Sequence, residues 1–452
     1  MMDVKGKCYM VIGMARSGLA AARLLADHGA RVILNDSKPI DAFGSELEAL
    51  QGDQFVPALG RDPVDFLTAV DGIVVSPGVP THLPVFAAAA EKQVPVLAEI
   101  ELGYQYAKAP IIAIGGTNGK TTTTALTGEI FAATGQTTFV LGNIGLPLTA
   151  EVARAAEKDV IVAEIASLQL ENTSAFRPRA AVLLNITEDH LDRFGTMERY
   201  IAAKAKMFAQ QTPADIAVLN ADDPLSQKLR PHIRARLLTF SRQHEVEEGA
   251  FIQQGHIVFR LDGKDTKVAP LSDLRIPGPH NVENALAAVA LALSQGVPVE
   301  CVAQAVASFA GVEHRIEFVQ EKEGIHYIND SKATNPDSAI KAVQAMERPT
   351  VLMLGGSNKN SDYCPLFEAF EGRIKAVVAL GETRRQILRD AQIAGYTSIH
   401  VCEGDFAQAF AMGRGLAAEG DTVLLSPACA SYDMFHNFEE RGAYFKELVG
   451  RL

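Results

Sequence analysis

The chain has 452 residues, of which 48% are hydrophobic and 21% charged, a mixture that excludes a disordered protein. Lys and Arg number 42 against 54 Asp and Glu, so the net charge of −12 disfavours binding to nucleic acid. The five cysteines form no Cys-x-x-Cys pair, so we expect reduced thiols in the cytoplasm, without disulfides or a zinc site.

The chain up to residue 98 alternates short apolar runs with helical patterns. Strands are predicted over residues 9–12, 31–34 and 72–75, with a helix over 19–28. Such alternation is typical of a parallel sheet covered by helices. No apolar run is long enough to span a membrane, and we expect none of the chain to insert in one.

A glycine-containing turn, residues 13–18 (Gly-Met-Ala-Arg-Ser-Gly), follows the first predicted strand. Asp36 follows the second strand, so the spacing resembles a dinucleotide-binding fingerprint, although Ala15 replaces its middle glycine. Three interpretations stay open: NAD binding, a plain structural turn, and a nucleotide diphosphate at the helix N-terminus. We favour the last, because the helix dipole does not need the missing glycine.

A second α/β unit opens with a strand over 111–114, and a helix is predicted over 123–134. Between them lies the motif Gly116-Thr117-Asn118-Gly119-Lys120-Thr121, whose backbone N–H groups would form a cradle for a polyphosphate. Lys120 would neutralise the β- and γ-phosphates, and the Thr121 hydroxyl would hold Mg²⁺. The alternative is a tight turn with the lysine in water, and Ile114 stands where the usual loop has its first glycine.

Carboxylates follow two further predicted strands of this unit. Glu164 comes directly after a strand over 160–163, and an oxygen ligand there suits Mg²⁺. Residues 185–192, which include Glu188, Asp189 and His190, follow a strand over 181–184. They indicate either metal or phosphate chemistry or an acidic helix N-terminus. A strand over 216–219, a β-hairpin excursion over 237–270 and a buried helix over 281–293 complete the unit.

A third unit begins near residue 311. Strands are predicted over 327–329, 350–354, 376–380, 398–401 and 422–425. Polar residues follow three of them, at 329–336, 355–359 and 426–431, which indicates one binding edge or a set of helix caps. Cys429 is either a nucleophile or a buried thiol, and the absence of a partner nearby in sequence favours the thiol.

The predicted fold is α/β with three domains. They are a Rossmann-like N-terminal domain (1–98), a central P-loop ATPase-like domain with a small β excursion (99–311) and a Rossmann-like C-terminal domain (312–452).

These motifs together resemble those of the Mur ligase family. Residues 116–122, 185–192, 278–281 with Asn284, 314–315 and 329–335 fall in the family's order. Residues 329–335 (Asn-Asp-Ser-Lys-Ala-Thr-Asn) and 426–431 (Ser-Pro-Ala-Cys-Ala-Ser) resemble the members that add D-glutamate.

The resemblance implies an ATP-dependent ligase of peptidoglycan precursor synthesis, cytoplasmic and monomeric. The carboxylate of UDP-N-acetylmuramoyl-L-alanine would take the γ-phosphoryl group of ATP, and the D-glutamate amine would attack the acyl phosphate.

The resemblance also implies roles for individual residues, with Lys120, Glu164, His190 and Lys204 as the catalytic group. ATP would contact Gly116, Thr117, Asn118, Gly119, Lys120, Thr121, Thr122, Asn284, Arg315 and Asp330. Two Mg²⁺ ions would be held by Thr121, Glu164, His190 and a carbamylated Lys204. The UDP-sugar would contact Ser17, Asp36, Ser37, Lys38, Ser76, Pro77, Gly78 and Asn143. D-Glutamate would contact Thr334, Lys359, Ser431, Tyr432 and Phe438, and Lys332 would also contact substrate. Ser357 and Asn358 stand where the family pattern has an aspartate.

Three alternatives compete with this interpretation. A sibling ligase or a folylpolyglutamate-type synthetase would share the phosphate loop but not residues 329–335. A P-loop binding module would bind nucleotide without turnover. An NAD-dependent dehydrogenase is the weakest of the three, because it gives Lys120 and Glu164 no role.

Overall fold

The computed structural model describes residues 2–43, 50, 52–357 and 361–452. The chain forms two compact units, one of residues 1–274 and 282–309, the other of residues 275–281 and 310–452. Within the described ranges, every helix is too short or too polar to cross a membrane.

The first unit begins with a parallel sheet of short strands, of which the central three are largely buried. These strands are β1 (Cys8–Ile12), β2 (Arg31–Asn35), β3 (Phe55–Pro57), β4 (Gly72–Val75) and β5 (Val96–Ala98). Its helices are α1 (Arg16–Asp27), α2 (Pro84–Glu91) and α3 (Glu99–Tyr106). The spatial order β3-β2-β1-β4-β5 is that of a Rossmann-like half, and it puts the loop after β1 at the carboxyl edge of the sheet.

The same unit contains a nine-stranded sheet. Its strands are β6 (Ile111–Gly115), β7 (Thr138–Gly142), β8 (Val160–Glu164), β9 (Ala180–Leu183), β10 (Ile216–Asn220), β11 (Arg236–Ser241), β12 (Gly249–Gln253), β13 (His256–Leu261) and β14 (Lys264–Pro270). Its helices are α4 (Lys120–Ala132), α5 (Leu148–Glu151), α6 (Leu191–Phe194), α7 (Met197–Ala205), α8 (Pro224–Gln227), α9 (Pro279–Ser294) and α10 (Val299–Ser308).

The order of this sheet is β14-β13-β12-β11-β10-β9-β6-β8-β7. The strands from β7 to β12 are parallel, whereas β12, β13 and β14 pair antiparallel. The predicted hairpins over 237–270 are present, and they extend the edge of the main sheet.

The second unit carries a six-stranded sheet. Its strands are β15 (Glu317–Lys322), β16 (Ile325–Asn329), β17 (Thr350–Gly355), β18 (Ile374–Leu380), β19 (Ile399–Val401) and β20 (Thr422–Leu425). Its helices are α11 (Pro336–Gln344), α12 (Cys364–Glu368), α13 (Arg384–Ile393), α14 (Phe406–Leu416) and α15 (Phe438–Gly450). All neighbours are parallel except β15 and β16, so the loops after β16, β17, β18 and β20 share one edge.

The predicted α/β fold class is confirmed, with a sheet for each of the three predicted regions. Each predicted strand is present, most within a residue or two at either end. Strands β3, β5, β7 and β15 were not predicted. The division into three domains at residues 98 and 311 stays a prediction.

Candidate active site

A glycine-rich loop joins β6 to α4 and exposes the start of that helix. Gly116 and Gly119 have φ values of +149° and +84°, which side chains rarely adopt. The first hydrogen bond of α4 runs from the N–H of Thr123 to the carbonyl of Gly119, at 3.0 Å. The N–H groups of Thr121 and Thr122 precede this first bond at the start of the helix, where N–H groups commonly bind anions.

Asn284, on α9, lies directly against this loop. A Cβ atom on Gly119 would come within 2.2 Å of the Asn284 Oδ1 atom. The loop and Asn284, two elements predicted to contact ATP, are therefore adjacent in the structure.

Lys204 is buried beside the loop. Its Nζ lies 2.9 Å from the carbonyl oxygen of Gly116 and 4.4 Å from the centre of the Tyr200 ring. Burial, and then the charge of Lys120, hold the pKa of Lys204 well below its ordinary value, while Asp189 opposes them. A neutral amine is the form that adds CO₂, so the position suits the predicted carbamate.

Glu164 ends β8, which lies between β6 and β7 in the sheet. It is in register with Ile114 on one side and Gly142 on the other. Asn143 donates a hydrogen bond from its Nδ2 atom to the Glu164 Oε1 atom at 2.7 Å. Glu164 therefore connects the strand that precedes the phosphate loop with the loop that carries Asn143.

The other oxygen of Glu164, Oε2, is buried and has no hydrogen-bond partner among the described residues. A bare carboxylate oxygen beside a phosphate loop fits Mg²⁺, which prefers such ligands. Within the described ranges, no three His, Cys, Asp or Glu side chains gather closely enough to hold a metal. A magnesium ion here would need the Thr121 hydroxyl, the modified Lys204 or phosphate oxygens as further ligands.

His190 precedes α6 in a left-handed conformation, with φ at 52°. Its Nε2 atom is 3.6 Å from a carboxylate oxygen of Asp189, and both side chains are partly exposed. The loop that holds these residues is tied to the phosphate loop, because the Thr187 N–H donates to the Thr117 hydroxyl at 3.1 Å.

A cavity of about 650 Å³ opens in the first unit beside the loop after β1. Seven of the residues predicted to contact the UDP-sugar line it, namely Ser17, Asp36, Ser37, Ser76, Pro77, Gly78 and Asn143. Lys38 is absent from the described lining, and its N–H donates to Asp36 Oδ1 at 3.0 Å. The cavity has the size of a site for a small organic ligand.

Polar side chains that the sequence analysis gave no role also line this cavity. Arg16 donates to the carbonyl of Gly145, which also lines the cavity, and Arg61 lies over the ring of Phe66. Gln169 is held by the N–H of Ala166, which donates to its Oε1 atom at 2.8 Å. The two arginines bring positive charge to a site predicted to take a diphosphate.

Asp330, in the second unit, is fully buried at the carboxyl end of β16. It accepts hydrogen bonds from the Ser426 hydroxyl at 2.7 Å and the Ile316 N–H at 3.2 Å. Burial raises its pKa to about 7, although the charge of Arg315 works in the opposite direction. Burial, and then the charge of Arg315, lower the pKa of His280 to about 4.

Arg441, on α15, connects two loops at the edge of this sheet. It is buried, and its guanidinium donates to the Ser331 hydroxyl and carbonyl at 2.9 and 2.7 Å. It also donates to the carbonyls of Cys429 and Ala430 at 3.1 to 3.2 Å. No sequence motif predicted this residue, because Ser331 lies 110 residues away and the other two acceptors are backbone carbonyls.

Residues predicted to contact D-glutamate lie on these connected loops. The Lys332 ammonium is 5.5 Å from the centre of the Phe438 ring, and Phe438 in turn accepts a hydrogen bond from Ser331. Ser431 is buried, Thr334 is partly buried and Tyr432 is 75% exposed. Lys359 and Asn358 lie outside the described residues.

Ser357 and Cys429, both singled out from the sequence, also lie at this edge of the sheet. The Ser357 hydroxyl accepts a hydrogen bond from the Asp433 N–H at 2.7 Å and lies 3.3 Å from the Asp433 carboxylate. Cys429 is a buried thiol that lies 2.8 Å from the Tyr363 hydroxyl, and burial raises the pKa of this thiol. A raised pKa disfavours the thiolate, so Cys429 is not an activated nucleophile.

The folds and the phosphate loop define a nucleotide-binding α/β enzyme, and family models match most of the chain. The Mur ligase MurD-like N-terminal domain matches residues 7–98, the Mur ligase middle domain residues 114–292, and the Mur ligase glutamate ligase domain residues 314–429.

Similar proteins extend over the whole chain. A UDP-N-acetylmuramoylalanine–D-glutamate ligase of Pelotomaculum thermopropionicum is 48% identical over 447 residues, which cover 99% of this chain and 98% of the relative. That of Thermoanaerobacter pseudethanolicus is 44% identical over 452 residues and covers 100% of both chains. The chain therefore belongs to the Mur ligase family, and it is a ligase.

Solved structures share the fold at low identity. The UDP-N-acetylmuramate–alanine ligase of Thermotoga maritima superposes with a TM-score of 0.61 at 20% identity, covering 98% of this chain and 99% of the other. A MurF ligase of Thermotoga maritima in complex with ADP superposes with a TM-score of 0.59 at 18% identity, covering 99% of this chain and 96% of the other.

Proposed function

We propose that this enzyme uses ATP to join D-glutamate to UDP-N-acetylmuramoyl-L-alanine, in the synthesis of peptidoglycan precursors. A carboxylate oxygen of the sugar peptide attacks the γ-phosphorus, and ADP leaves. The amine nitrogen of D-glutamate then attacks the acyl carbon, the carbon–oxygen bond to phosphate breaks, and inorganic phosphate leaves as the ammonium proton passes to solvent. The names of the full-length relatives support both substrates.

One contact carries this proposal. The hydrogen bond between Asn143 and Glu164 joins the cavity in which Asn143 lies to the strand beside the phosphate loop. A ligand that fills the cavity and reaches Asn143 would bring its far end toward bound nucleotide. The reaction requires this arrangement, since a carboxylate must meet the terminal phosphoryl group in line.

The charges of the site suit phosphoryl transfer. Lys120 and the first N–H groups of α4 would neutralise the terminal phosphates. Thr121, Glu164, His190 and a carbamate on Lys204 would hold two magnesium ions, which supply electrostatic stabilisation of the transferred group. Asn284, Arg315 and Asp330 would contact the rest of ATP.

The proposed D-glutamate site is on the second unit. Lys332, Thr334, Ser431, Tyr432 and Phe438, together with Lys359, would recognise the amino acid. Cations and hydroxyl donors are the groups that bind a dicarboxylate. Arg441 supports this assignment because it fixes the Ser331 and Cys429 loops to each other.

An isotope experiment tests the reaction. The sugar peptide is prepared with ¹⁸O in its carboxylate and incubated with ATP, Mg²⁺ and D-glutamate. We expect one ¹⁸O atom to appear in inorganic phosphate for each peptide formed, and ADP release to require both co-substrates. Lys120→Ala should abolish release. Turnover with L-glutamate in place of D-glutamate, or phosphate without label, contradicts the proposal.

We also propose that the enzyme is a cytoplasmic monomer. Sedimentation velocity at assay concentration should give a single species near the chain mass of 48.5 kDa.

A further inference from the structure

The side chain of Asn185 pairs with the backbone of the phosphate loop. Its Oδ1 atom accepts the N–H groups of Asn118 and Thr117, at 2.8 and 3.2 Å, and its Nδ2 atom donates to the Asn118 carbonyl at 3.2 Å. One side-chain amide thus bonds to both the N–H and the carbonyl of Asn118, as the backbone of a neighbouring strand would.

The backbone around Asn185 is held by two side chains, one at the end of β10 and one just after it. The N–H of Ile186 donates to the Asp223 carboxylate at 3.0 Å, and the Asn220 side chain donates to the carbonyl of Leu184 at 2.9 Å. The backbone on both sides of Asn185 is therefore fixed by side chains that do not belong to the phosphate loop.

These contacts divide the N–H groups of the loop into two sets. Those of Thr117 and Asn118 point to Asn185, whereas those of Thr121 and Thr122 lie at the start of α4, ahead of its first hydrogen bond. The division matters because an unrestrained loop of this kind would have many conformations, only some of which direct the second set toward one phosphate.

We propose that Asn185 is a positioning residue that holds the loop in its phosphate-binding conformation before the nucleotide arrives. The inference rests on the proposed function only in taking ATP as the ligand. Asn185 acts through the Asn118 peptide and does not itself touch the reacting atoms.

Two substitutions separate the parts of this role. Asn185→Leu removes both the acceptor and the donor at similar volume. Asn185→Asp retains the acceptor but places a negative charge beside the phosphate site and loses the donor. Asn172→Leu is the matched control, because the Asn172 side chain makes no hydrogen bond among the described residues.

We expect Asn185→Leu to raise the KM for ATP by roughly ten- to a hundredfold, the range for a partly buried N–H group that loses this acceptor. The KM values for the sugar peptide and D-glutamate should stay within about twofold, as should all three values in Asn172→Leu. Asn185→Asp should weaken ATP binding more than Asn185→Leu does, and added salt should reduce the difference between the two variants.

Direct binding of a non-hydrolysable ATP analogue, measured by calorimetry, should follow the same order. A KM for ATP within twofold of wild type in both Asn185 variants overturns the proposal, as does a parallel rise of all three KM values. If the wild type binds the analogue but forms no peptide, the proposed reaction fails, while the calorimetric order still tests the role of Asn185.

Discussion

Lys120 and Lys204 donate to the same oxygen atom, the carbonyl of Gly116, at 3.1 and 2.9 Å. Two ammonium groups on one neutral acceptor would repel each other, and the burial of Lys204 weakens the screening by water. Burial, and then the charge of Lys120, lower the pKa of Lys204. Carbamylation would replace this repulsion with an attraction, because the carbamate is negative.

Lys204 should therefore react with CO₂ at neutral pH. We expect a carbamate signal in the ¹³C NMR spectrum after addition of ¹³C-bicarbonate, and Lys204→Ala should abolish the signal and lower kcat by roughly a hundredfold. Lys206→Ala is the control, since this neighbouring lysine donates to the Glu171 carbonyl instead. An equal loss of signal in Lys206→Ala would contradict the assignment.

Gly119→Ala should destroy nucleotide binding because of a collision with Asn284. Gly135 provides the matched control: its φ is +82°, close to the +84° of Gly119, but a Cβ atom there meets nothing within 4 Å. Backbone strain is thus similar in the two variants, at about 1 kcal/mol. ATP binding by calorimetry should be lost in Gly119→Ala and retained in Gly135→Ala, and equal affinities in the two would argue against the collision.

Glu164→Gln retains the acceptor for Asn143 but removes the negative charge. If the unpartnered oxygen of Glu164 serves a magnesium ion, the variant should need more Mg²⁺ for half-maximal rate and lose roughly a hundredfold in kcat. Asn143→Ala should instead raise the KM for the sugar peptide. A magnesium titration that is identical for wild type and Glu164→Gln would remove Glu164 from the metal site.

The protonation of Asp330 makes stability depend on pH. The ordinary pKa of an aspartate is 3.8, and the pKa of Asp330 in the fold is about 7. Between these two pH values the folded protein holds a proton that the unfolded chain has released. Stability contributed by this group therefore falls as pH rises from about 4 to about 7, by up to roughly 4 kcal/mol.

Asp330→Asn should remove this loss, because an amide does not ionise. In urea unfolding without nucleotide, the free energy of unfolding of the variant should equal that of wild type at about pH 4 and exceed it at about pH 8. His280, whose pKa is lowered to about 4, has the opposite slope, but it is present in both proteins and cancels in the difference. A constant difference across this range would show that Asp330 is ionised throughout.

Local pattern predicted the central strands of each sheet but missed four strands at sheet edges. Buried parallel strands such as β1 and β17 are continuous apolar runs, which sequence reveals. The four strands that were not predicted, β3, β5, β7 and β15, all lie at the ends of their sheets. These four strands are partly exposed, and β3 and β5 have only three residues each, so their apolar pattern is short or interrupted.

The site divides in a similar way. The phosphate loop was predictable because glycine, lysine and threonine act within a few neighbouring residues. Asn185 lay within a noted motif, but its partner Asn118 is 67 residues away, and only the fold reveals the pair. Arg441 and Arg16 were missed for the same reason, since Ser331 lies 110 residues from Arg441 and Gly145 lies 129 residues from Arg16.

The outer strand of the nine-stranded sheet, β14, bears Lys264, Asp265 and Lys267 and ends at Pro270. An unpaired edge invites strands from other molecules, but alternating charges resist desolvation and proline offers no N–H to a newcomer. A large sheet can thus grow by added hairpins without presenting an edge that favours intermolecular β-aggregation.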